Sequence, residues 1–75
     1  MDARQCRAAR AILGLSQDDL VVKSKVAKRT IASFEGGRHN LAPRTLSAIR
    51  AALEAAGVVF LPENGNGPGV ALRKE

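Results

Sequence analysis

The stretch Gln17–Glu35, QDDLVVKSKVAKRTIASFE, decides the fold of this 75-residue chain. It divides into two short helical segments joined by a tight turn, and the second segment opens with Lys28 and Arg29. Apolar residues of this stretch can fold onto one inward side: Leu20, Val21, Val26, Ile31 and Phe34. The cationic start of the second segment is then left facing outward.

Positive charge is concentrated around these two segments. The formal net charge is +5, and the residues from Lys23 to Arg50 carry seven cations against the single anion Glu35. A plain solvated surface is the alternative explanation, but this concentration favours a polyanionic partner. A small helix that presents cations and donors at its N-terminus suits the major groove of DNA. The sequence therefore predicts a DNA-binding regulator.

Caps and helix stops predict four helices. Asp2 is suited to cap a first helix that Gly14 stops. Ser16 and Asp19 have the spacing of a capping box, and Pro43 suits the first position of the last helix. The predicted helices are 3–13, 17–24, 28–35 and 43–56.

The last part of the chain changes character. Two short apolar segments, 58–61 and 70–72, flank a glycine-rich loop and predict a β-hairpin, with a disordered tail as the alternative. The chain is thus divided into a helical domain, 1–57, and a tail, 58–75. Because a core this small gains from dimerisation, we expect the tail to pair two copies of the chain. The residues expected in that contact are Val59, Phe60, Leu61, Val70 and Leu72.

Several function classes are disfavoured by composition. Cys6 is the only cysteine and His39 the only histidine, so an internal disulfide is excluded. No metal site, cofactor site or set of catalytic residues is predicted. His39 is interpreted as a neighbour of phosphate rather than a catalytic base. No apolar run approaches the length of a membrane span, and no secretory pattern opens the chain. A cytoplasmic, nucleoid-associated protein that is not an enzyme is the expectation.

Two motifs carry a resemblance to a known family. GLSQ at 14–17 and I-x-x-F-E-x-G at 31–37, with the turn spacing between them, resemble the Cro/CI-type (XRE) helix-turn-helix regulators over residues 4–56. The resemblance implies a mainly α, lambda-repressor-like four-helix DNA-binding domain, here with a short C-terminal β-hairpin. It also implies that a homodimer binds a near-palindromic operator in double-stranded DNA, with helix 28–35 as the recognition helix.

The same resemblance implies roles for individual residues. Base contacts are expected from the recognition helix, namely Lys28, Arg29 and Ser33. Contacts to phosphate are expected around it: Gln17, Lys25, Thr30, Arg38, His39, Asn40 and Arg44. Arg10 and Glu35 are expected to form a structural salt bridge instead of touching DNA.

Three positions depart from the family pattern. Val21 stands where a small alanine is usual, Lys25 where a glycine usually provides a left-handed residue, and Ala27 where a serine or threonine cap is usual. These departures bear on the geometry of the turn. The rival function is an antitoxin-like or anti-activator-partner protein that binds a regulatory protein through its C-terminal segment. RNA binding is a weaker rival, since the chain lacks aromatics that would stack on unpaired bases.

Overall fold

Four helices and one hairpin make up the described residues, 1–38 and 40–74, of the structure, a computed structural model. The helices are α1 (Ala3–Leu13), α2 (Gln17–Ser24), α3 (Lys28–Glu35) and α4 (Pro43–Ala56). The antiparallel strands are β1 (Val58–Leu61) and β2 (Gly69–Leu72). The prediction of a mainly helical chain with a small C-terminal sheet is therefore confirmed.

Side-chain caps fix the first two helices. The Asp2 carboxylate accepts from the Gln5 amide at 2.8 Å, while Gln5 Oε1 accepts from the Asp2 amide at 2.9 Å. Ser16 and Asp19 exchange the corresponding bonds at 3.0 and 2.9 Å. These reciprocal bonds satisfy amides that a helix start leaves unpaired. Gly14 ends α1 in the left-handed region, at φ 72°.

The core lies between the helices and the inner face of the hairpin. Its buried members are mostly aliphatic: Cys6, Ala9, Leu20, Ile31, Phe34, Ile49, Leu53, Val58 and Phe60. Val21 and Val26 pack against this cluster with part of their surface exposed, so the five apolar residues predicted to face inward do so. In the described part of the chain, no helix has the length and apolarity needed to span a membrane.

The hairpin is held against α1 and α4. Val58 pairs with Leu72 and Leu61 with Gly69. The buried Gln5 carboxamide donates to the Leu61 carbonyl at 3.3 Å and to the Gly69 carbonyl at 3.0 Å. From α4, the Arg50 guanidinium lies 5.4 Å from the centre of the Phe60 ring, a cation–π distance. The structure therefore contains the predicted β-hairpin and not the alternative of a disordered tail.

The turn between α2 and α3 contains a left-handed residue other than glycine. Lys25 has φ 61°, as the departure from the family pattern predicts, and Ala27 provides no side-chain cap for α3. The Ser24 hydroxyl supports this turn, because it donates to the Leu20 carbonyl at 2.7 Å and accepts from the Val26 amide at 3.2 Å. This serine was not singled out by the sequence analysis.

Glycine at position 25 should stabilise the fold. The left-handed conformation costs an L-residue about 1–2 kcal/mol, of which the extra chain entropy of unfolded glycine offsets about 0.5–1 kcal/mol. Lys25→Gly should raise the free energy of unfolding in urea by about 0.5–1 kcal/mol. The control Lys23→Gly removes the same charge from within α2 and should lower that free energy by up to about 1 kcal/mol. Equal effects would contradict strain at Lys25.

Candidate nucleic-acid interface

Helix α3 has two different sides. Ile31 and Phe34 are buried in the core, whereas Lys28 and Arg29 are exposed at the start of the helix. Thr30 and Ser33 are half-buried at the boundary between the two sides. Because successive helical residues are about 100° apart, burying Ile31 and Phe34 turns Arg29 to the opposite, outer side and leaves Lys28 at the edge of the buried side, where it is exposed as the first residue of the helix. The amphipathic pattern of the sequence therefore determines which side chains this helix presents.

The Glu35 carboxylate fixes the other end of α3. Its exposed fraction is 3%, and Arg10 contacts it with two parallel hydrogen bonds, from Nε to Oε2 at 2.8 Å and from Nη2 to Oε1 at 2.7 Å. This is the ion pair that the resemblance implies. The planar guanidinium fork matches both carboxylate oxygens at once, which is the strongest geometry for such a pair.

Two further side chains donate to the same carboxylate. Gln17 Nε2 lies 3.0 Å from Oε1 of Glu35, and Cys6 Sγ lies 3.1 Å from Oε2. The guanidinium of Arg7 also donates to the main-chain carbonyl of Glu35. Glu35 therefore links α1, α2 and the end of α3. We define these residues, with Arg10, as the Glu35 cluster.

The cluster shifts the pKa values of two of its members. Burial alone would raise the pKa of Glu35, but hydrogen bonds from Arg10, Gln17 and Cys6 outweigh it, and the net pKa is lowered. Burial, followed by the hydrogen bond to Glu35, raises the pKa of the Cys6 thiol to about 12. Glu35 is thus an anion and Cys6 a neutral donor at neutral pH, as their hydrogen bond requires.

The predicted phosphate contacts lie at different depths. Lys25, Arg38, Asn40 and Arg44 are exposed, and Thr30 is half-buried. The Gln17 carboxamide donates a hydrogen bond to Glu35. The main-chain N–H of Gln17 lies in the first turn of α2, where N–H groups have no acceptor within the helix. His39, also predicted to lie near phosphate, falls outside the described residues.

A shallow cleft runs along the outer side of α3. It has a volume of about 370 Å³, and Arg29, Ser33, Gly36 and Arg38 line it. A residue predicted to contact bases, Arg29, and one predicted to contact phosphate, Arg38, therefore lie at one cleft. The two predicted roles are compatible with a single continuous surface.

Lys28 has a partner that sequence reasoning missed. Its Nζ lies 2.9 Å from Oδ1 of Asp18, in the first turn of α2. Asp19, the neighbouring acid, is occupied by the capping box, so the two consecutive acids have different roles. Acids in a first helical turn are common, and nothing local distinguishes the one that reaches across the turn.

The five residues predicted for dimerisation face in two directions. Phe60 is buried in the core of its own chain and Val70 packs against that core. Val59 and Leu61 point to the opposite face of the hairpin and are 41% and 42% exposed, and Leu72 is exposed at the end of β2. Only Val59, Leu61 and Leu72 therefore present substantial apolar surface to a partner.

Family models and curated proteins provide no relative of this chain. No family model matches the chain, and no curated protein is significantly similar to it. The geometry of the described residues therefore carries the functional argument.

Replacement of Glu35 should destabilise the fold strongly at neutral pH. Glu35→Gln leaves Arg10 without its anion, and losing one member of a buried pair costs about 3–5 kcal/mol. Because the pKa of Glu35 is lowered in the fold, its charge stabilises the protein above its ordinary pKa. That contribution is lost as pH falls through the lowered value. The difference in urea stability between wild type and variant should thus be largest at neutral pH and shrink as pH falls below the ordinary glutamate pKa of about 4.3.

The matched control for this experiment is Glu54→Gln. Glu54 pairs with Arg50 at 3.2 Å in an exposed i, i+4 contact, which contributes about 0.5 kcal/mol or less. The control removes the same charge from a pair outside the Glu35 cluster. Similar losses for the two variants, or a Glu35→Gln loss that is constant with pH, would contradict the special role of Glu35.

Proposed function

We propose that this chain is a sequence-specific DNA-binding transcriptional regulator of the Cro/CI helix-turn-helix type, with a lambda-repressor-like helical domain. The observation that carries the proposal is the construction of α3. Its inner side is committed to the core through Ile31 and Phe34, its end is tied to Glu35, and its exposed start presents Lys28 and Arg29. A rigid, short helix with an outward cationic start has the shape and charge that fit a major groove.

In this proposal the contacts divide into two kinds. Lys28, Arg29 and Ser33 read base edges, with Arg29 suited to guanine O6 and N7. The surrounding polar and cationic residues contact phosphate and set the register of the helix in the groove: Gln17, Lys25, Thr30, Arg38, His39, Asn40 and Arg44. Neither group needs a cofactor, and the function is not enzymatic.

Substitution of Arg29 tests the function directly. Selection of bound duplexes from a random pool should enrich an inverted repeat with the wild-type protein, because two copies bind related half-sites. Arg29→Ala should lose preference at one position of each half-site, at about 1–3 kcal/mol per lost base contact. Arg4→Ala, which removes an exposed arginine from α1, is the matched control and should select the wild-type sequence.

Either of two results would count against this function. Wild-type protein that enriches no sequence would contradict sequence-specific binding. Unchanged selection by Arg29→Ala would remove Arg29 from base recognition and move that role to other residues of α3.

The proposed regulator acts as a homodimer through the outer face of the hairpin. Val59 and Leu61 expose apolar surface there, opposite the face that packs on the helices. Residues 55–72 contain one charged residue, Glu63, whereas the chain as a whole carries +5. Two cationic copies can therefore approach through this segment with little electrostatic repulsion.

Lysine at position 59 should separate the two copies. Val59→Lys would leave a charge unpaired in an apolar contact, so the dimer should weaken by about 100-fold or more, equivalent to ~3 kcal/mol, in sedimentation equilibrium. Val22→Lys is the matched control, because Val22 is 78% exposed on α2, outside the hairpin. A Val59→Lys protein that stays dimeric, or two variants with the same effect, would exclude this face as the interface.

The same exposed face favours a second candidate function. An antitoxin-like or anti-activator-partner protein would bind another protein through Val59 and Leu61 and make little use of DNA. The two functions differ in their dependence on Arg29. In the second, Arg29→Ala would leave activity in the cell unchanged, whereas Val59→Lys would abolish it.

A further inference from the structure

Asp18 is the one acid in the described chain that pairs with a residue proposed to contact bases. Its carboxylate lies 2.9 Å from Nζ of Lys28, and both side chains are largely exposed. The pair joins the first turn of α2 to the first turn of α3, and both turns contain residues that are proposed to contact DNA. An acid at this place repels the DNA backbone, so its presence needs a reason.

Stability does not provide that reason. Capping of α2 is done by Ser16 and Asp19, and an exposed ion pair contributes little to stability. Asp18 also interacts favourably with the dipole of α2, but that interaction needs only an acid in the first turn and does not require a contact with Lys28. The position of Asp18 against Lys28 is the distinctive feature.

We propose that Asp18 is a specificity-determining residue, which holds Lys28 for base recognition and penalises its use on the DNA backbone. This inference rests on the proposed function. An ammonium group has three donors, so Lys28 can keep its bond to Asp18 while it donates to a neutral acceptor such as guanine O6 or N7. Phosphate is an anion, and it competes with Asp18 for the lysine and is repelled by the carboxylate.

The discrimination therefore arises from a difference between two complexes. On a matching sequence, Lys28 and Asp18 remain paired and the base contact is made. On other sequences, Lys28 lacks its matching base acceptors, and its gain from a phosphate is small because Asp18 already neutralises its charge. Specificity gained by weakening the wrong complex is a general strategy of selective binding.

Removal of the Asp18 charge should strengthen general binding more than specific binding. Each newly neutralised phosphate steepens the slope of log affinity against log salt by about 0.9, which is equivalent to about eightfold tighter binding at 0.1 M salt. On a shuffled duplex, Asp18→Asn should steepen this slope by about 0.9 and bind about eightfold more tightly. On the selected duplex, its affinity should change less than twofold. Its ratio of specific to general affinity should fall about four- to eightfold.

Two further variants separate this role from a simple change in net charge. Glu54→Gln makes the same charge change by freeing Arg50 on α4, and it should alter neither the salt slope nor the affinity ratio by more than twofold. In a Lys28→Met background only the direct repulsion between Asp18 and phosphate is left to lose, so Asp18→Asn should strengthen specific and general binding alike and leave their ratio unchanged. Circular dichroism at each salt concentration checks that every variant is folded.

The outcomes distinguish this inference from the proposed function. Equal effects of Asp18→Asn and Glu54→Gln, or a fall in the affinity ratio on Asp18→Asn that persists with Lys28→Met, would overturn the role of Asp18 while wild-type selectivity stands. Wild-type protein that binds selected and shuffled duplexes alike would overturn the proposed function itself, and the role of Asp18 with it.

Discussion

The fold depends on one buried carboxylate. Glu35 lies at the end of α3, and side chains of α1 and α2 donate to both of its oxygens. Isolated burial of such a charge would cost several kcal/mol, so the group is tolerated only because each neighbour completes its hydrogen bonding. No buried side-chain nitrogen or oxygen of the described residues lacks a partner. The cluster therefore permits few alternative positions for α3, which an aliphatic core without directional contacts would not specify as narrowly.

Helix α1 connects the two ends of the molecule. Through Arg10 it holds the end of α3, and through Gln5 it holds the carbonyls of Leu61 and Gly69 in the hairpin. Val58 and Phe60 also belong to the same core as the helices. The hairpin therefore shares one hydrophobic core with the four helices. In the proposed dimer, this rigid connection transmits the geometry of the interface to α3.

Sequence predicts the local features of this protein well, but of its long-range polar contacts it predicts only the Arg10–Glu35 pair, and that through the family resemblance. Helix ends follow from chemistry within a few residues, such as the cap at Ser16 or the stop at Gly14. The contacts of Gln5 with the hairpin and of Asp18 with Lys28 depend on tertiary placement, which no local pattern encodes. Side chains alternate along β1, so Phe60 and Val59 lie on opposite faces of the hairpin. Only the packing of β1 on the helices decides which of the two faces inward.

The two ends of α3 are stabilised in opposite ways. At its start, Ala27 provides no cap and Lys25 adopts a conformation that disfavours L-residues, so the local sequence opposes the helix there. At its end, the Glu35 cluster and the buried Phe34 offset that cost. Amides in the first turn consequently lack a side-chain acceptor, and they lie beside Lys28 and Arg29 on the exposed surface. A helix anchored at its C-terminal end leaves its positive N-terminal end open to an external anion, and a DNA phosphate would be such an anion in the proposed function.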